Sequence, residues 1–397
     1  MDEVRMVRDA YPEPAPPTAR DIARAKALLT RAPRRTAPRL WWGLGGVVAA
    51  GTAATVAITL AGGGTPGGGN TPAPTSTVRL DARSAFLAAA TKAAQQPVGN
   101  YWHDDDVLGQ SYVIRAKTGT YTITGALTEG FDWWGTQPGV GNAFYSRELP
   151  SRTPTKQDTA LWRKAGSPSN IRVWSSDHYW TYSTERVTKW HLDGKDNRRA
   201  GQLPGGLSVK DLQNLPTDPA ELAKRFLSQA ALNSIAMGLP PGAKITPEMA
   251  RRLKSRPVLP QQKLARVSGL LRAPLPSKVR AGLMRALADQ PGVHSIGHDT
   301  DALGRQGVAL ATDYSPVTVT GEYGAPKAVR GTYRSRSVAI FDERTGALLG
   351  RQEELTTPGG PYAEMKPGFI INYSVVRSSG WTDTAPKPPA ELPFDRP

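Results

Sequence analysis

Between Leu40 and Ala61 the chain carries no charged residue, while Arg31, Arg34, Arg35 and Arg39 crowd the N-terminal side and no charge follows until Arg79. At about 1.5 Å per residue, a helix over this stretch reaches roughly 31 Å, which matches the hydrocarbon core of a bilayer. The basic side is expected to stay in the cytoplasm, with Arg34, Arg35, Arg39, Trp41 and Trp42 at the membrane interface. A cleaved secretory signal is the rival reading, but its basic leader would have to run to about 40 residues, against the usual short pattern. The expectation is a single-pass protein of the cell membrane, its N-terminus inside and its bulk outside, with the lipid bilayer as first partner. Gly45, Ala49, Ala53 and Ala57 recur every four residues on one face of the span. Small residues so spaced permit close helix–helix approach, so a homodimer through the membrane helix is one expectation. Chance ridges in an Ala-rich anchor are the other.

The rest of the chain divides around this span. Residues 1–39 form a cytoplasmic tail, broken by Pro12, Pro14, Pro16 and Pro17. Beyond the break, Ile22, Leu28 and Leu29 fall on the apolar face of a short amphipathic helix, a surface for a partner or for lipid. Residues 62–78, rich in Gly, Pro and Thr, read as a flexible linker. Residues 79–380 form the extracytoplasmic domain, and residues 381–397 a Pro-rich, irregular tail.

Within 79–380 a helix is expected over about Ser84 to Gln95. Aromatic, β-prone runs follow at Asn100–His103, Ser111–Ile114 and Thr120–Thr124, the last alternating with the period of a half-buried strand. Trp174 and the stretch Trp180–Trp190 suggest more. Thr217-Asp218-Pro219 is a cap followed by proline at the first helical position, and a second helix follows Ser277. The last part reads as a β-meander, with turns at Asp299–Gly304 and Asp342–Gly346. The fold class is therefore α+β: an antiparallel β-sheet with packed helices, preceded by one transmembrane helix.

The formal charge is +16, and the tail accounts for +4 of it. The remaining +12 lies with the span and the outer portion. That placement argues against direct binding of nucleic acid and leaves an anionic envelope polymer, anionic lipid, or simply an Arg-rich surface. With no Cys in the chain, disulfides, Cys-based zinc sites and thiol nucleophiles are excluded together. There is no G-x-S-x-G elbow, Walker A pattern or dinucleotide fingerprint. His103-Asp104-Asp105-Asp106 is either a hard-cation cluster or, more simply, a solvated acidic turn between two strands. His294 and His298 fall in an expected strand, where about 13 Å separates them, too far to share one ion. Asp299-Thr300-Asp301 reads as a turn rather than a calcium loop. The Trp and Tyr residues of the first half either line a groove for an apolar or carbohydrate ligand or form core and cross-strand pairs. No catalytic residue, cofactor or metal ligand emerges, and a non-enzymatic protein is expected.

Several local patterns carry a resemblance: Tyr11-Pro12-Glu13-Pro14, Leu215-Pro216-Thr217-Asp218-Pro219, Val279-Arg280-Ala281 through to Gln290-Pro291-Gly292-Val293, Asp301-Ala302-Leu303-Gly304-Arg305, and Ile340-Phe341-Asp342-Glu343-Arg344-Thr345-Gly346. With these the chain resembles a family of single-span membrane proteins of high-GC Gram-positive bacteria that has no established activity and no catalytic residues to carry over. In layout, that family is similar to membrane-bound anti-sigma factors. The resemblance implies a cytoplasmic sigma factor as the tail's partner and an outer domain that senses or binds. The chain lacks the His and Cys ligands of the common zinc-binding type. An architectural analogy to envelope carriers, which cup a lipid in an open antiparallel sheet backed by helices, gives the alternative: a lipid or cell-wall polymer carrier or scaffold.

Overall fold

The computed structural model describes residues 76–137, 140–192, 203, 206–236, 251 and 257–394. The tail residues Ile22, Leu28 and Leu29, the interface residues Arg34, Arg35, Arg39, Trp41 and Trp42, and the small-residue row Gly45, Ala49, Ala53 and Ala57 lie outside the described residues. Among the described residues, no helix is long and apolar enough to cross a membrane.

The chain is α+β. Helix α1 (Ser76–Ala93) leads into two long strands, β1 (Tyr101–Ala116) and β2 (Gly119–Gly135), and a shorter one, β3 (Asn142–Glu148). Helix α2 (Lys156–Lys164), the hairpin of β4 (Asn170–Ser175) and β5 (His178–Ser183), and the two-residue β6 (His191–Leu192) follow. The middle is helical: α3 (Val209–Gln213), α4 (Pro219–Phe226), α5 (Gln229–Ala236), α6 (Pro260–Leu271) and α7 (Ser277–Ala288). The meander then runs through β7 (Val293–Thr300), β8 (Gln306–Thr312), β9 (Ser315–Val319), β10 (Gly331–Phe341), β11 (Leu348–Thr357) and β12 (Ile370–Thr382). Ten strands join in one antiparallel sheet of order β6-β3-β2-β1-β12-β11-β10-β8-β7, with β9 beside β10, while β4 and β5 form a sheet of their own. The last strand, β12, therefore lies between β1 and β11 and joins the first half to the meander.

Local chemistry explains the elements that were expected. Asp218 caps α4 by accepting from the Glu221 N–H, and Pro219 occupies the first turn, where its missing donor costs nothing. In the turn between β10 and β11, Asp342 accepts from the backbone N–H groups of Arg344 and Thr345. Gly346 closes that turn at φ +71°, with its Cα so near α1 that a Cβ would stand 2.3 Å from the Ala89 carbonyl oxygen. The turn is thus also a docking point for the first helix.

Helices α1, α4, α6 and α7 cover one face of the sheet. Phe86, Leu264, Leu270, Leu283, Leu287, Leu310 and Phe341 are all fully buried in one continuous apolar cluster there. Phe86 meets Phe341 edge to face at 5.2 Å between ring centroids. The opposite face carries smaller clusters, of which one, built on Val107, Leu127, Leu149, Tyr373 and Val375, lies beneath residues 392–394. There Gly109 lets the Tyr373 ring lie against the backbone, since a Cβ would come within 2.5 Å of it.

Two expectations need correction. His103–Asp106 is not a solvated turn; it is the early part of β1, and Asp104, Asp105 and Asp106 are all buried. The expected break between the runs Asn100–His103 and Ser111–Ile114 is absent too, since both lie in the continuous β1, while the break before Thr120–Thr124 is the turn at Lys117-Thr118.

Candidate functional site

Side chains alternate across a strand, so three consecutive aspartates in β1 must serve two faces of the sheet. On the helix face, Trp102, Asp104 and Asp106 meet the C-terminal end of α6. Arg272, just past that helix, donates from Nε to Asp104 at 2.7 Å and stands 2.6 Å from both Asp104 and Asp106 through Nη2. The Trp102 indole donates to the Arg272 carbonyl at 2.8 Å. Arg280 of α7 is buried over the Trp102 ring and donates to the carbonyls of Leu271 and Ala273. A cation here satisfies the carbonyls that end a helix and complements its dipole. Burial lifts the Asp104 carboxyl to about 6, against the pull of Arg272. Apart from Asp104 Oδ1, which is buried without a hydrogen bond, these polar groups meet other parts of the chain. This is a structural knot that fixes the helix layer to the first strand.

On the opposite face, the chemistry turns outward. Glu129 of β2 is fully buried and accepts from Arg147 of β3 at 2.5 Å and from Arg377 of β12 at 3.0 Å. Arg377 also stands 3.9 Å from Asp105. Burial, with Glu129 beside it, lifts the Asp105 carboxyl to about 8. Glu129 holds two guanidinium groups in fixed positions, with donors left over. Arg147 gives them to the carbonyls of Ala390, at 3.3 Å, and Glu391, at 2.5 Å, and Arg377 to Glu391 at 3.1 Å. The Trp190 indole, over which Arg147 stacks at 4.4 Å, donates to the Pro389 carbonyl at 2.7 Å. Leu392 and Phe394 pack on the Val107–Tyr373 cluster, and the Arg152 guanidinium lies 4.2 Å from the centre of the Phe394 ring.

Residues 383–394 thus form a strap across this face. They are irregular, as their prolines require, yet tied down at three successive carbonyls, those of Pro389, Ala390 and Glu391, and at the Phe394 ring. No backbone–backbone hydrogen bond reaches them among the described residues, so side chains alone hold the strap. Near it, Phe131 approaches Trp190 at 6.5 Å and Tyr145 at 6.4 Å, and His103 stacks with Phe131 at 6.0 Å. Elsewhere Tyr101 pairs with Trp133 and Trp134 with Phe144 within the first half, while Trp102 meets Trp381 of β12.

The remaining motifs resolve locally. His294 and His298 stand on β7 and meet different acids, Asp313 at 2.8 Å and Glu343 at 3.1 Å. Asp301 makes a turn, accepting from the Leu303 and Arg305 backbone, while the Arg305 guanidinium reaches the carbonyls of Leu349 and Val376. Among the described residues, no three His, Asp or Glu side chains gather as a metal site. Of the residues at the strap's seat, Trp190 belongs to the first-half aromatic residues expected either to line a groove or to form core pairs, whereas Glu129, Arg147, Arg377 and the docked Leu392 and Phe394 carry no expectation from the sequence. The only hint was an apolar pair, Leu392 and Phe394, inside a Pro-rich run.

No protein family model, no curated protein and no solved structure matches the chain.

Proposed function

We propose that this chain is a non-enzymatic binding protein, anchored in the membrane by residues 40–61, whose outer domain senses or binds a ligand outside the cell. On this reading its cytoplasmic tail, through Ile22, Leu28 and Leu29, engages a sigma factor. The observation that supports binding is the seat of residues 389–394 on the face of the sheet away from the helices. Two arginines, held by the buried Glu129, and an indole present donors at fixed positions beside an apolar floor. Directional donors above an apolar base are what a recognition surface requires. The buried charge on the helix face, Asp104 and Asp106 on Arg272, holds elements together, which suits a scaffold better than a reaction centre.

The carrier alternative has one feature in its favour, an open cleft of about 350 Å³ edged by Ala94, Gln96, Leu215, Pro276 and Val279. Against it stands the packing between the helices and the sheet, where a lipid-cupping fold would need space and this chain has a continuous core.

The test is a pull-down from native membranes, comparing the full chain with one lacking residues 1–39. A sigma factor recovered with the full chain alone supports the regulator. If the tail recovers nothing specific under gentle conditions, the regulatory half of the proposal fails and any function lies wholly in the outer domain.

A further inference from the structure

We infer that the strap's seat is a docking site for a proline-rich peptide supplied in trans, and that residues 383–394 occupy it as a cis stand-in. The inference deepens the binding reading above and rests on it.

Three observations carry it. First, the bound stretch contains Pro386, Pro388, Pro389 and Pro393, so it is stiff and loses little conformational freedom on docking. Second, it is read through its carbonyls. The donors are the Trp190 indole on Pro389 at 2.7 Å and the Arg147 and Arg377 guanidinium groups on Glu391 at 2.5 and 3.1 Å. An aromatic residue that donates to a carbonyl within a proline-rich run, flanked by apolar contacts, is the chemistry of polyproline recognition. Third, the strap has no strand ladder to hold it, so its release breaks only side-chain bonds and the contacts of Leu392 and Phe394. The seat itself survives release, because Glu129 keeps Arg147 and Arg377 in place from below.

The ligand this site fits is a proline-rich segment with an aliphatic and an aromatic residue shortly after the prolines, as in Leu392 and Phe394. In the resting chain the tethered strap competes at high effective concentration, so a partner in trans must arrive on a crowded surface or in several copies. Binding would expose the strap. That gives the outer domain two distinguishable states, which a sensor requires.

The probe is a fluorescent synthetic peptide with the sequence of residues 385–394, titrated into the full-length chain in detergent, beside a scrambled peptide of equal composition. The chain with Leu392→Ala and Phe394→Ala together should bind the probe at least about ten-fold more tightly than the unaltered chain, since the competitor is weakened. Adding Trp190→Phe, which keeps an aromatic ring and removes the donor, should reverse most of that gain. Equal affinity of the loosened and unaltered chains, or equal binding of the scrambled peptide, overturns the inference. Should the loosened chain misfold, the unaltered chain answers alone. Saturating probe, made with Glu391→Gln so that the protease spares it, should speed cleavage of the chain after Glu391 by a glutamyl endoprotease at least several-fold, because the displaced strap loses its Arg147 and Arg377 contacts. No acceleration at saturation overturns displacement. Peptide failure combined with tail-dependent capture of a sigma factor would reject the docking assignment and leave the regulator standing.

Discussion

The two faces of the central sheet put the same residue type to opposite uses. Asp104 and Asp106 point at the helices, and their charges are spent on Arg272, which caps a helix end inside the main core. Asp105, between them in sequence, points the other way and lies near Arg377, which Glu129 holds together with Arg147. On the first face both partners are permanent parts of the fold. On the second the arginines are fixed from below and grip a strap above that has no ladder of its own. A buried ion pair can therefore be either a rivet or a mount, and what decides is whether the cation has donors left over for something detachable.

The largest effect should come from the rivet. Arg272→Ala leaves Asp104 and Asp106 buried without their cation, a change that costs about 3–5 kcal/mol. Urea unfolding would measure it, and the loss should be global. The substitution Arg272→Met with Asp104→Asn and Asp106→Asn should recover a good part of it. If Arg272→Ala alone cost under about 1 kcal/mol, the helix-face knot would be decoration. Next comes the mount. Glu129→Gln removes the shared anion of Arg147 and Arg377 and should cost about 1.5–3 kcal/mol. It should also free the strap, seen as faster proteolysis within residues 383–394 before the global transition. A strap still protected in the Glu129→Gln chain would break the distinction between the two faces.

Much of the fold is legible in the residues, and the part that is not shares one cause. Helix α4 follows from Asp218 and Pro219, and the β10–β11 hairpin from Asp342 and Gly346, because each signal and its structural consequence lie within a few residues. Helix α6 is legible on the same local terms, since Leu264, Val267, Leu270 and Leu271 carry a helical stripe and Pro260 opens it. The acidic run of β1 reads as a turn only because its cations are invisible locally: Arg272 lies 168 positions from Asp104, and Arg377 lies 248 from Glu129. The Pro-rich tail is irregular as expected, but its anchors are 199 and 244 positions away, at Trp190 and Arg147. Charge burial and strap docking are products of topology, and no local pattern encodes the partner.

The two faces should also differ in their response to pH. The ordinary Asp value is 3.8, and burial lifts Asp105 to about 8. Between those values the folded chain holds a proton that the unfolded chain has released, so stability falls as pH rises through this window and the loss is complete above it. Asp104, lifted to about 6, adds a decline that ends earlier. Asp105→Asn should therefore flatten the fall in stability between about pH 6 and pH 8, an effect smaller than that of Glu129→Gln. Thermal melts of both chains across pH 5 to 9 would show it. A slope unchanged by the substitution would mean that Asp105 is ionised beside Arg377 throughout, and the open face would then carry two charged acids under its arginines.

The smallest effect supplies the control. Arg115 of β1 meets Glu364 through two bonds of 2.7 Å, geometry as good as that of Arg272, but with side chains 29% and 43% exposed. The Arg115 contact holds the Glu364 carboxyl below its usual value. Water can replace either partner here, and Arg115 also spans to the Pro361 carbonyl, so Arg115→Ala should cost less than about 1 kcal/mol. High salt should shrink the difference further, whereas it should leave the Arg272→Ala penalty nearly intact. If Arg115→Ala instead matched Arg272→Ala, bond geometry rather than burial would set the worth of these pairs. The contrast between the faces would then rest on the strap alone.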